Sequence, residues 1–516
     1  MKKAKKNKKP NIVIYIMSIL IFAGLVFFSA KLYLLLTSPS YSFIPAKYIT
    51  YLLIGLIIIV VFFGIYALLP VNNLNKILSS ILSALLATAM AFGSILIPQY
   101  KGTFEKMWVE VPTEGTLNIN VYVLNDSDIQ SILDLTGKKV GTQSQLDSEY
   151  QEYAFVSINH ELNGKQVEQV SYDDIYSVVE ALYAHEIDAL LLNETYVDIV
   201  GENNDFQTFI DDIRLVYTCP QKIELSFNSN AVENITEQPF TIMIGGNDEW
   251  TYNKINNVVK CGRTDVNILA VVNPITKQVL LITIPRDSYL GLDGDPNKKD
   301  KLTHATMYSI DCWEKTIEGL FDNEINYYFR VNFSSVINVV DALSGLDINN
   351  PYKFTTDYIA VYNPETKKAT RTTETFEKGL IHLDGIHALA YCRERKRLSN
   401  GDFGRNEHQA IIIQALIDKI TSVEGITHIQ DLLQSVAGTF ATDISLDQIY
   451  ALAQMQLDDM ANWQIVSYSI KGHGEYAYSY TWGSDLSMVM VDENSVVEAK
   501  EYLNKIYSNQ KITKGE

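Results

Sequence analysis

Cysteine and net positive charge are both scarce in this 516-residue chain, and each scarcity excludes a class of site. The four cysteines (Cys219, Cys261, Cys312 and Cys392) form no CxxC pair and have no histidine at metal-ligand spacing, which argues against a zinc site. Four cysteines in so long a chain are not a disulfide framework, so buried or unpaired thiols are favoured over disulfides. The net charge of −19 excludes a general nucleic-acid-binding face, which would be basic, but it allows a local basic pocket.

Charge is almost absent from the first hundred residues once a basic tail has ended. Three apolar runs follow that tail: Asn11 to Ala30, Tyr48 to Leu69 and Ile77 to Pro98. Each run is long enough to cross about 30 Å of hydrocarbon as a helix. Three such runs in succession disfavour buried core helices, and the length of the first disfavours a cleavable signal peptide. We therefore predict three transmembrane helices within residues 11–98.

The tail itself, residues 1–10, contains six lysines and predicts the orientation of these helices. Basic segments next to a membrane helix stay in the cytoplasm, so three passes place everything after about Gln99 outside. We expect a multi-pass cell-membrane protein with a cytoplasmic N-terminus, a linker at residues 99–114 and an extracellular catalytic domain.

The rest of the chain divides into two α/β regions. Residues 115–235 alternate strand and helix patterns, and the phrases DLTGKKVGTQ and ALLLNE look like pieces of a solute-binding-protein lobe. Because this region lacks a cluster of ligand-type residues, an accessory spacer or docking module is favoured over small-molecule binding. Residues 236–516 begin with a hairpin, VNILAVV and QVLLITI, and continue as mixed strands and helices. We predict one layered α/β catalytic domain with a central mixed sheet.

Four short segments of this second region concentrate arginine and aspartate. They are GGND with Asp248, CGRTDVN with Arg263 and Asp265, TIPRDS with Arg286 and Asp287, and CRERKRLSNGDFGRNEHQ with Arg393, Arg395, Asp402, Arg405 and Gln409. Guanidinium groups match pyrophosphate oxygens with paired hydrogen bonds and stay charged when partly buried. Taken alone, each segment is more often a surface ion pair or a solvated helix end. All four in one domain predict an arginine-lined anion site.

The last segment adds local geometry to this prediction. Arg405 and Gln409 are four residues apart at the start of a predicted helix from Phe403 to Ile420, so they share a face near amide donors. Arg393 and Arg395 share a side if the chain is extended there and diverge if it is helical, and both readings stay open. Asp248 and Asp265 follow strand ends, where carboxylate oxygens together with phosphate oxygens and water suit magnesium.

In this order, the segments GxD, GRTDVNILAVVN, IPRDSY, KLTHA, VVDALSGLDI and DFGRNEHQ resemble the LytR-CpsA-Psr family. The three-pass anchor and accessory region resemble its capsule-associated branch. The resemblance implies transfer of teichoic acid or capsular polysaccharide from an undecaprenyl-pyrophosphate carrier to peptidoglycan, releasing undecaprenyl phosphate, in bacterial cell-wall biogenesis. It also implies Mg²⁺, an apolar tunnel for the lipid between sheet and helices, and capsule or cell-wall assembly proteins as further partners.

The resemblance also assigns roles to the residues that match the family motifs. It places the pyrophosphate on six of them: Arg263, Arg286, Arg393, Arg395, Arg405 and Gln409. Asp248 and Asp265 would hold magnesium, and Asp402 would support the arginines or the acceptor hydroxyl. Asp287 and Asp402 are the alternatives for deprotonating that hydroxyl. The segment HATMYSIDCW lacks the glycine pair that often follows the family's HAY-like motif, and Cys392 directly precedes Arg393, so we expect a different pocket rim.

Two other functions would use the same residues. A polyprenyl-pyrophosphate pyrophosphatase would let water replace the sugar hydroxyl. A non-enzymatic receptor or transcriptional attenuator would bind an envelope lipid without turning it over.

Overall fold

The computed structural model describes residues 11–42, 44–107, 114–144, 146–201, 203, 205–224, 230–247, 263–356, 359–363, 368–422 and 440–513. The chain separates into two compact units, one of Met1–Trp108 with Ser445–Ala461 and one of Val109–Ile444 with Asn462–Glu516.

The first unit contains the apolar helices α1 (Ile12–Leu36), α2 (Ala46–Leu68) and α3 (Asn73–Met107). Among the described residues, three spans in these helices are long and apolar enough to cross a membrane, as predicted: Ile12–Leu36, Ala46–Leu68 and Asn73–Gln99. Helix α3 continues past Pro98 to Met107, since an internal proline removes one backbone hydrogen bond without having to end the helix.

A few hydrogen bonds join the helices of this unit. Ser29 Oγ lies 3.0 Å from Met90 Sδ between α1 and α3. At one end of the bundle the Lys76 ammonium donates to the carbonyls of Ala67 and Tyr66 at 2.7 and 3.2 Å, which satisfies acceptors at the end of α2. At the same end the Tyr15 hydroxyl of α1 donates to Leu68 O at 2.8 Å.

A helix far along the chain, Leu446–Asp459, also belongs to this first unit. It contacts the opposite end of α2, where the Tyr48 hydroxyl donates to Leu457 O at 2.8 Å and Lys47 Nζ lies 3.6 Å from Asp458 Oδ1. This segment therefore meets the anchor at the end away from Asn11.

The second unit begins with a five-stranded sheet of order β3-β2-β4-β1-β5. Its strands are β1 (Glu114–Leu124), β2 (Lys139–Gln143), β3 (Glu168–Tyr172), β4 (Ala189–Asn193) and β5 (Ile213–Glu224). The helices between them are α4 (Ser148–Glu161), α5 (Ile175–Tyr183), α6 (Val197–Val200) and α7 (Phe209–Asp212). The predicted boundaries at residues 115 and 235 remain predictions.

A six-stranded mixed sheet of order β18-β11-β6-β7-β8-β19 follows. Its strands are β6 (Phe240–Asn247), β7 (Thr264–Asn273), β8 (Gln278–Thr283), β11 (Tyr327–Val331), β18 (Phe440–Thr442) and β19 (Gln464–Ser469). Strands β6, β7 and β8 are antiparallel neighbours, whereas β11 runs parallel to β6 and β19 parallel to β8. The predicted α/β fold with a central mixed sheet is confirmed.

The further helices of the second unit are α8 (Leu302–Tyr308), α9 (Ile310–Phe321), α10 (Phe333–Ala342), α11 (Gly385–Arg393), α12 (Asp402–Thr421) and α14 (Glu493–Tyr507). The helix Leu446–Asp459 of the first unit is α13. The small sheets pair β9 (Tyr289–Gly291) with β10 (Lys299–Lys301), β12 (Leu346–Asn350) with β17 (Gly379–Leu383), β13 (Phe354–Thr355) with β16 (Thr375–Phe376), β14 (Ile359–Asn363) with β15 (Lys368–Thr372), and β20 (Gly472–Tyr478) with β21 (Asp485–Val491).

Both faces of the six-stranded sheet are apolar. One face packs Met243, Leu269 and Leu280 against Trp313 of α9 and residues of α14. The other face presents Ile268 and Leu281, with Ile413 of α12 packed against them. Alternation along the strands sends successive side chains to opposite faces, so each strand contributes to both layers.

Gly385 allows α11 to start against α10, and its substitution tests that close approach. A Cβ at this position would collide with the Ile337 carbonyl oxygen, and the Gly385 amide donates to Asp341 Oδ1 at 2.7 Å. We expect Gly385→Ala to lower the free energy of unfolding by about 1–3 kcal/mol, measured by chemical denaturation.

Gly319→Ala is the matched control for this substitution. Gly319 lies inside α9, and its added Cβ would meet only the Gly294 Cα at 3.4 Å. Alanine there should be neutral or stabilising by up to about 1 kcal/mol. Equal denaturation midpoints for Gly385→Ala and the unsubstituted chain would contradict the steric argument.

Candidate functional site

The candidate site forms at one edge of the six-stranded sheet, where the ends of β6, β7 and β8 meet. Strand β6 ends there at Gly245–Asn247, and β7 begins there with Arg263 just before Thr264. Strand β8 also ends there, and Arg286 and Asp287 follow it directly. Gly245 faces Trp313 so closely that a Cβ would lie 2.7 Å from the indole ring, which explains a glycine at that strand end. Asp248 and Cys261 lie outside the described residues.

Arg286 is the centre of the ion-pair network at this edge. Its Nη1 lies 2.5 Å from Asp265 Oδ1, and its Nε lies 3.7 Å from Asp287 Oδ1. Asp287 Oδ1 also lies 3.2 Å from Lys301 Nζ. These four side chains are only 16–19% exposed, so solvent screens the network weakly.

The pKa values of Asp265 and Asp287 show which basic side chains act on these two carboxylates. Burial alone would raise the pKa of Asp265, but Arg286, Arg405 and Arg263 together hold this pKa below the ordinary value. Burial would likewise raise the pKa of Asp287, yet Arg286, Lys301 and Arg395 hold it below the usual range. Arginines from three separate segments therefore act on two neighbouring carboxylates, and both aspartates are ionised at neutral pH.

Arg405 and Gln409 lie on the first turns of α12, and both are nearly inaccessible, at 6% and 4% exposure. The start of this helix is held on the end of α11: Gln409 Nε2 donates to Cys392 O at 3.4 Å, and His408 Nδ1 pairs with Tyr391 O at 3.0 Å. Burial lowers the pKa of His408 to about 4, so this ring is neutral and donates from Nδ1.

The sequence leaves open whether Arg393 and Arg395 lie in a helix or in an extended segment. The structure shows that helix α11 ends between them. Arg393 is the last residue of α11, and Glu394 is extended with φ −61° and ψ 129°. Arg393 is half-buried, whereas Arg395 is exposed beyond the helix end. The N-cap of α12 is Gly401, with φ 54°, and not Asp402, whose side chain is outside the described set. A positive φ is easily reached by glycine, which places the turn there.

Three further residues of this edge carry little functional signal in the sequence. Lys301 binds Asp287, and its only sequence signal is membership of the KLTHA motif. Asp300 is fully buried and accepts hydrogen bonds from the Thr481 amide at 2.6 Å and Ser479 Oγ at 2.9 Å, which fixes the strand that ends at Lys301. Arg330 is fully buried in β11 opposite Gly245. A single arginine within a strand pattern does not indicate that its side chain will be buried at this edge.

The donor set at Asp265 fits a magnesium ion that arrives with a phosphate ligand. Magnesium commonly takes one or two carboxylates and completes its shell with phosphate oxygens and water. Arg286 donates to Oδ1 of Asp265, and the Asp265 side chain keeps 19% exposure toward the site. Within the same part of the chain, no group of three or more His, Cys, Asp or Glu side chains is arranged to hold a metal.

The thiols near the site are unreactive by environment. Burial raises the pKa of Cys312 to about 11 and that of Cys392 to about 12. Cys219 is also a buried free thiol. Cys392 therefore shapes the α11 end through its carbonyl group, and its thiol stays protonated at neutral pH.

Apolar helices able to cross a membrane, joined to an α/β domain with a buried arginine cluster, define a class: a membrane-attached domain suited to a phosphate-bearing ligand. The model of the LytR_cpsA_psr family matches residues 217–504, more than half of the chain. The protein therefore belongs to the LytR_cpsA_psr family.

Several relatives carry descriptive names. A Bacillus licheniformis protein named polyisoprenyl-teichoic acid–peptidoglycan teichoic acid transferase TagU is 30% identical over 281 residues, covering 54% of this chain and 82% of that protein. A Bacillus cereus protein of the same name is 32% identical over 257 residues, covering 49% and 77%. The crystal structure of Bacillus subtilis TagV matches with 26% identity and a TM-score of 0.41, covering 54% of this chain and 99% of that one.

Proposed function

We propose that this protein transfers a glycopolymer, a teichoic acid or capsular polysaccharide, from a polyisoprenyl-pyrophosphate carrier to peptidoglycan. One observation carries the proposal: Arg263, Arg286 and Arg405 converge on Asp265 at a sheet edge, with Arg395 and Lys301 beside Asp287. The named transferases that are 30–32% identical over 77–82% of their own length support it.

The proposed chemistry is phosphoryl transfer by positioning and charge neutralisation. A peptidoglycan sugar hydroxyl attacks the phosphorus nearest the glycan, a new P–O bond forms, and the bond to the leaving polyisoprenyl phosphate breaks. Forked guanidinium donors from Arg263, Arg286 and Arg405 hold the pyrophosphate oxygens in place. The same donors stabilise the charge that develops on the leaving group.

The proton of the attacking hydroxyl needs an acceptor. Asp287 is ionised at neutral pH and is held by Lys301 at 3.2 Å, so in this proposal it accepts the hydrogen bond of the hydroxyl and takes its proton as the new P–O bond forms. Asp402 remains the alternative for this role. Gln409, Arg393 and Arg395 complete the proposed pyrophosphate contacts. In this proposal Asp265 and Asp248 hold Mg²⁺, which supplies positive charge to the phosphate oxygens when bound.

The setting of the site supports a lipid-linked substrate. The sheet face with Ile268 and Leu281 is apolar and is buried against Ile413 of α12, and the proposed lipid tunnel lies between this sheet and its helices. The anchor keeps enzyme and lipid at one membrane. We propose that the N-terminus is cytoplasmic and the catalytic domain extracellular, since the six lysines of residues 1–10 favour the cytoplasmic side and three membrane passes follow them.

The test uses the full chain in detergent with a polyprenyl-pyrophosphate glycan, Mg²⁺ and a peptidoglycan acceptor. Polymer attached to the acceptor is the expected result. Free polymer alone would indicate the pyrophosphatase, and binding without any consumption of lipid would indicate the receptor.

We expect Arg393→Ala to lose most transfer, about a hundredfold, while thermal unfolding stays cooperative. A loss of cooperative unfolding in this variant would assign Arg393 a structural role instead.

A further inference from the structure

An open cleft lies next to the arginine edge, on the other side of α12. Its volume is about 1140 Å³, and one wall is a stripe of α12 that includes Phe403, Glu407 and Gln414. These positions are four and seven residues apart, so they share one helix face. Arg405 and Gln409 project from the opposite face of the same helix. The cleft is therefore distinct from the arginine cluster, although the same helix forms part of both.

The cleft also opens at the same edge of the sheet as the arginine cluster. Thr283 and Ser469 end the parallel strands β8 and β19, their hydroxyl groups lie 2.7 Å apart, and both line the cleft. Arg286 follows Thr283 by three residues. Asn400, also in the lining, lies in the turn just before Arg405. A chain-like ligand in the cleft would thus reach toward the arginine edge from the side.

The chemistry of the lining differs from that of the arginine cluster. Amide side chains (Asn349, Asn400, Gln414) and hydroxyl groups alternate with small apolar patches such as Ile411 and Ala415. The charged residues of the lining are three carboxylates and two ammonium groups, which are Asp347, Glu407, Asp418, Lys419 and Lys471. A nearly balanced, slightly acidic lining does not attract a polyanion.

This lining suits a sugar chain. Amides, hydroxyls and carboxylates provide the donors and acceptors that sugar hydroxyl and acetamido groups require, and apolar patches cover the C–H faces of sugar rings. Gln414 and Asp418 already form such a pair, with Gln414 Nε2 donating to Asp418 Oδ2 at 2.9 Å. The volume of about 1140 Å³ exceeds the roughly 300–1,000 Å³ of small-molecule pockets, so the cleft has room for several sugars.

We propose that this cleft binds the glycan strand of the acceptor and presents its hydroxyl to the arginine edge. The inference rests on the proposed transfer function and adds where the acceptor lies. A phosphate-rich donor polymer is the competing occupant, and the acidic excess of the lining disfavours it.

The experiment compares Gln414→Trp, which narrows the cleft, and Asn349→Ala, which removes one exposed amide, in the full chain in detergent. Ile275→Trp is the control, because this side chain is 53% exposed in the β7–β8 turn, at the end of β8 opposite the cleft residue Thr283. Binding of a soluble peptidoglycan tetrasaccharide and of poly(glycerol phosphate) is measured directly, together with donor consumption and transfer.

We expect Gln414→Trp to weaken tetrasaccharide binding and to raise the acceptor KM by about tenfold or more, and Asn349→Ala to act in the same direction. Donor hydrolysis without acceptor should stay unchanged in both variants. Unchanged tetrasaccharide binding in both, or loss of poly(glycerol phosphate) binding instead, overturns the proposal. Because tetrasaccharide binding is read without turnover, failure of the transfer function itself appears separately, as a lack of donor consumption by the unsubstituted chain.

Discussion

Arg405→Lys should lower donor consumption by about a hundredfold or more, even though the positive charge is kept. Arg405 is only 6% exposed and lies close enough to Asp265 to lower its pKa. In such a site the planar fork of a guanidinium can bind carboxylate and phosphate oxygens at once. An ammonium group offers a single point of charge and a shorter reach.

Arg397→Lys is the control for this substitution. Arg397 lies in the same segment between α11 and α12, but it is exposed and is not among the arginines that we place at the anion site. Its replacement should leave the rate within about twofold, since most surface substitutions are nearly neutral. Thermal unfolding must stay cooperative in both variants. If Arg405→Lys consumed the donor at the original rate, charge alone would suffice and the fork argument would be wrong.

Asp265→Asn and Asp287→Asn should separate metal binding from arginine positioning. Both carboxylates approach Arg286, Asp265 at 2.5 Å and Asp287 at 3.7 Å, so each substitution weakens the hold on that arginine. Of these two aspartates, only Asp265 is proposed to bind Mg²⁺. We therefore expect Asp265→Asn to raise the Mg²⁺ concentration for half-maximal activity by about tenfold or more, because a neutral amide is a weaker ligand than a carboxylate.

Asp287→Asn should lower the maximal rate without changing the dependence on Mg²⁺. Manganese binding in the presence of the donor, followed by electron paramagnetic resonance, gives a readout that does not depend on turnover. Equal metal affinities for both variants would show that Asp265 orients Arg286 and does not bind the ion. Chelation by EDTA with no loss of activity in the unsubstituted protein would contradict the magnesium proposal as a whole.

The local pattern of apolar and polar residues was sufficient to predict the membrane helices and the first hairpin of the catalytic domain. Long apolar runs allow little except a membrane helix, so the three helices at Ile12–Leu36, Ala46–Leu68 and Asn73–Met107 were predictable apart from their ends. The VNILAVV and QVLLITI hairpin appears as β7 and β8 in antiparallel register. Alternation and turn residues determine such neighbours within a few positions of one another.

Contacts between distant segments were not predictable in the same way. Helix α13 looks like an ordinary helix of the catalytic region, and nothing in its own sequence indicates that Leu457 accepts a hydrogen bond from Tyr48. Lys301 lies in a short strand that Asp300 fixes through Thr481, far along the chain. These placements depend on three-dimensional packing, because the partner residues carry no pattern that links them in the sequence.

The sequence alone determined which side chains could form an anion site: forked arginines, a glutamine and aspartates in four ordered segments, in a chain whose overall charge is strongly negative. Only the tertiary structure decided which of them meet. Arg286, Arg405 and Arg263 lower the pKa of Asp265, and Arg286, Lys301 and Arg395 lower that of Asp287, because the strand ends and the start of α12 converge at one sheet edge. The hydrogen-bonding capacity of a guanidinium group can be read from the residue itself. The electrostatic effect of an arginine on a carboxylate depends on the distance between them, and only the fold determines that distance.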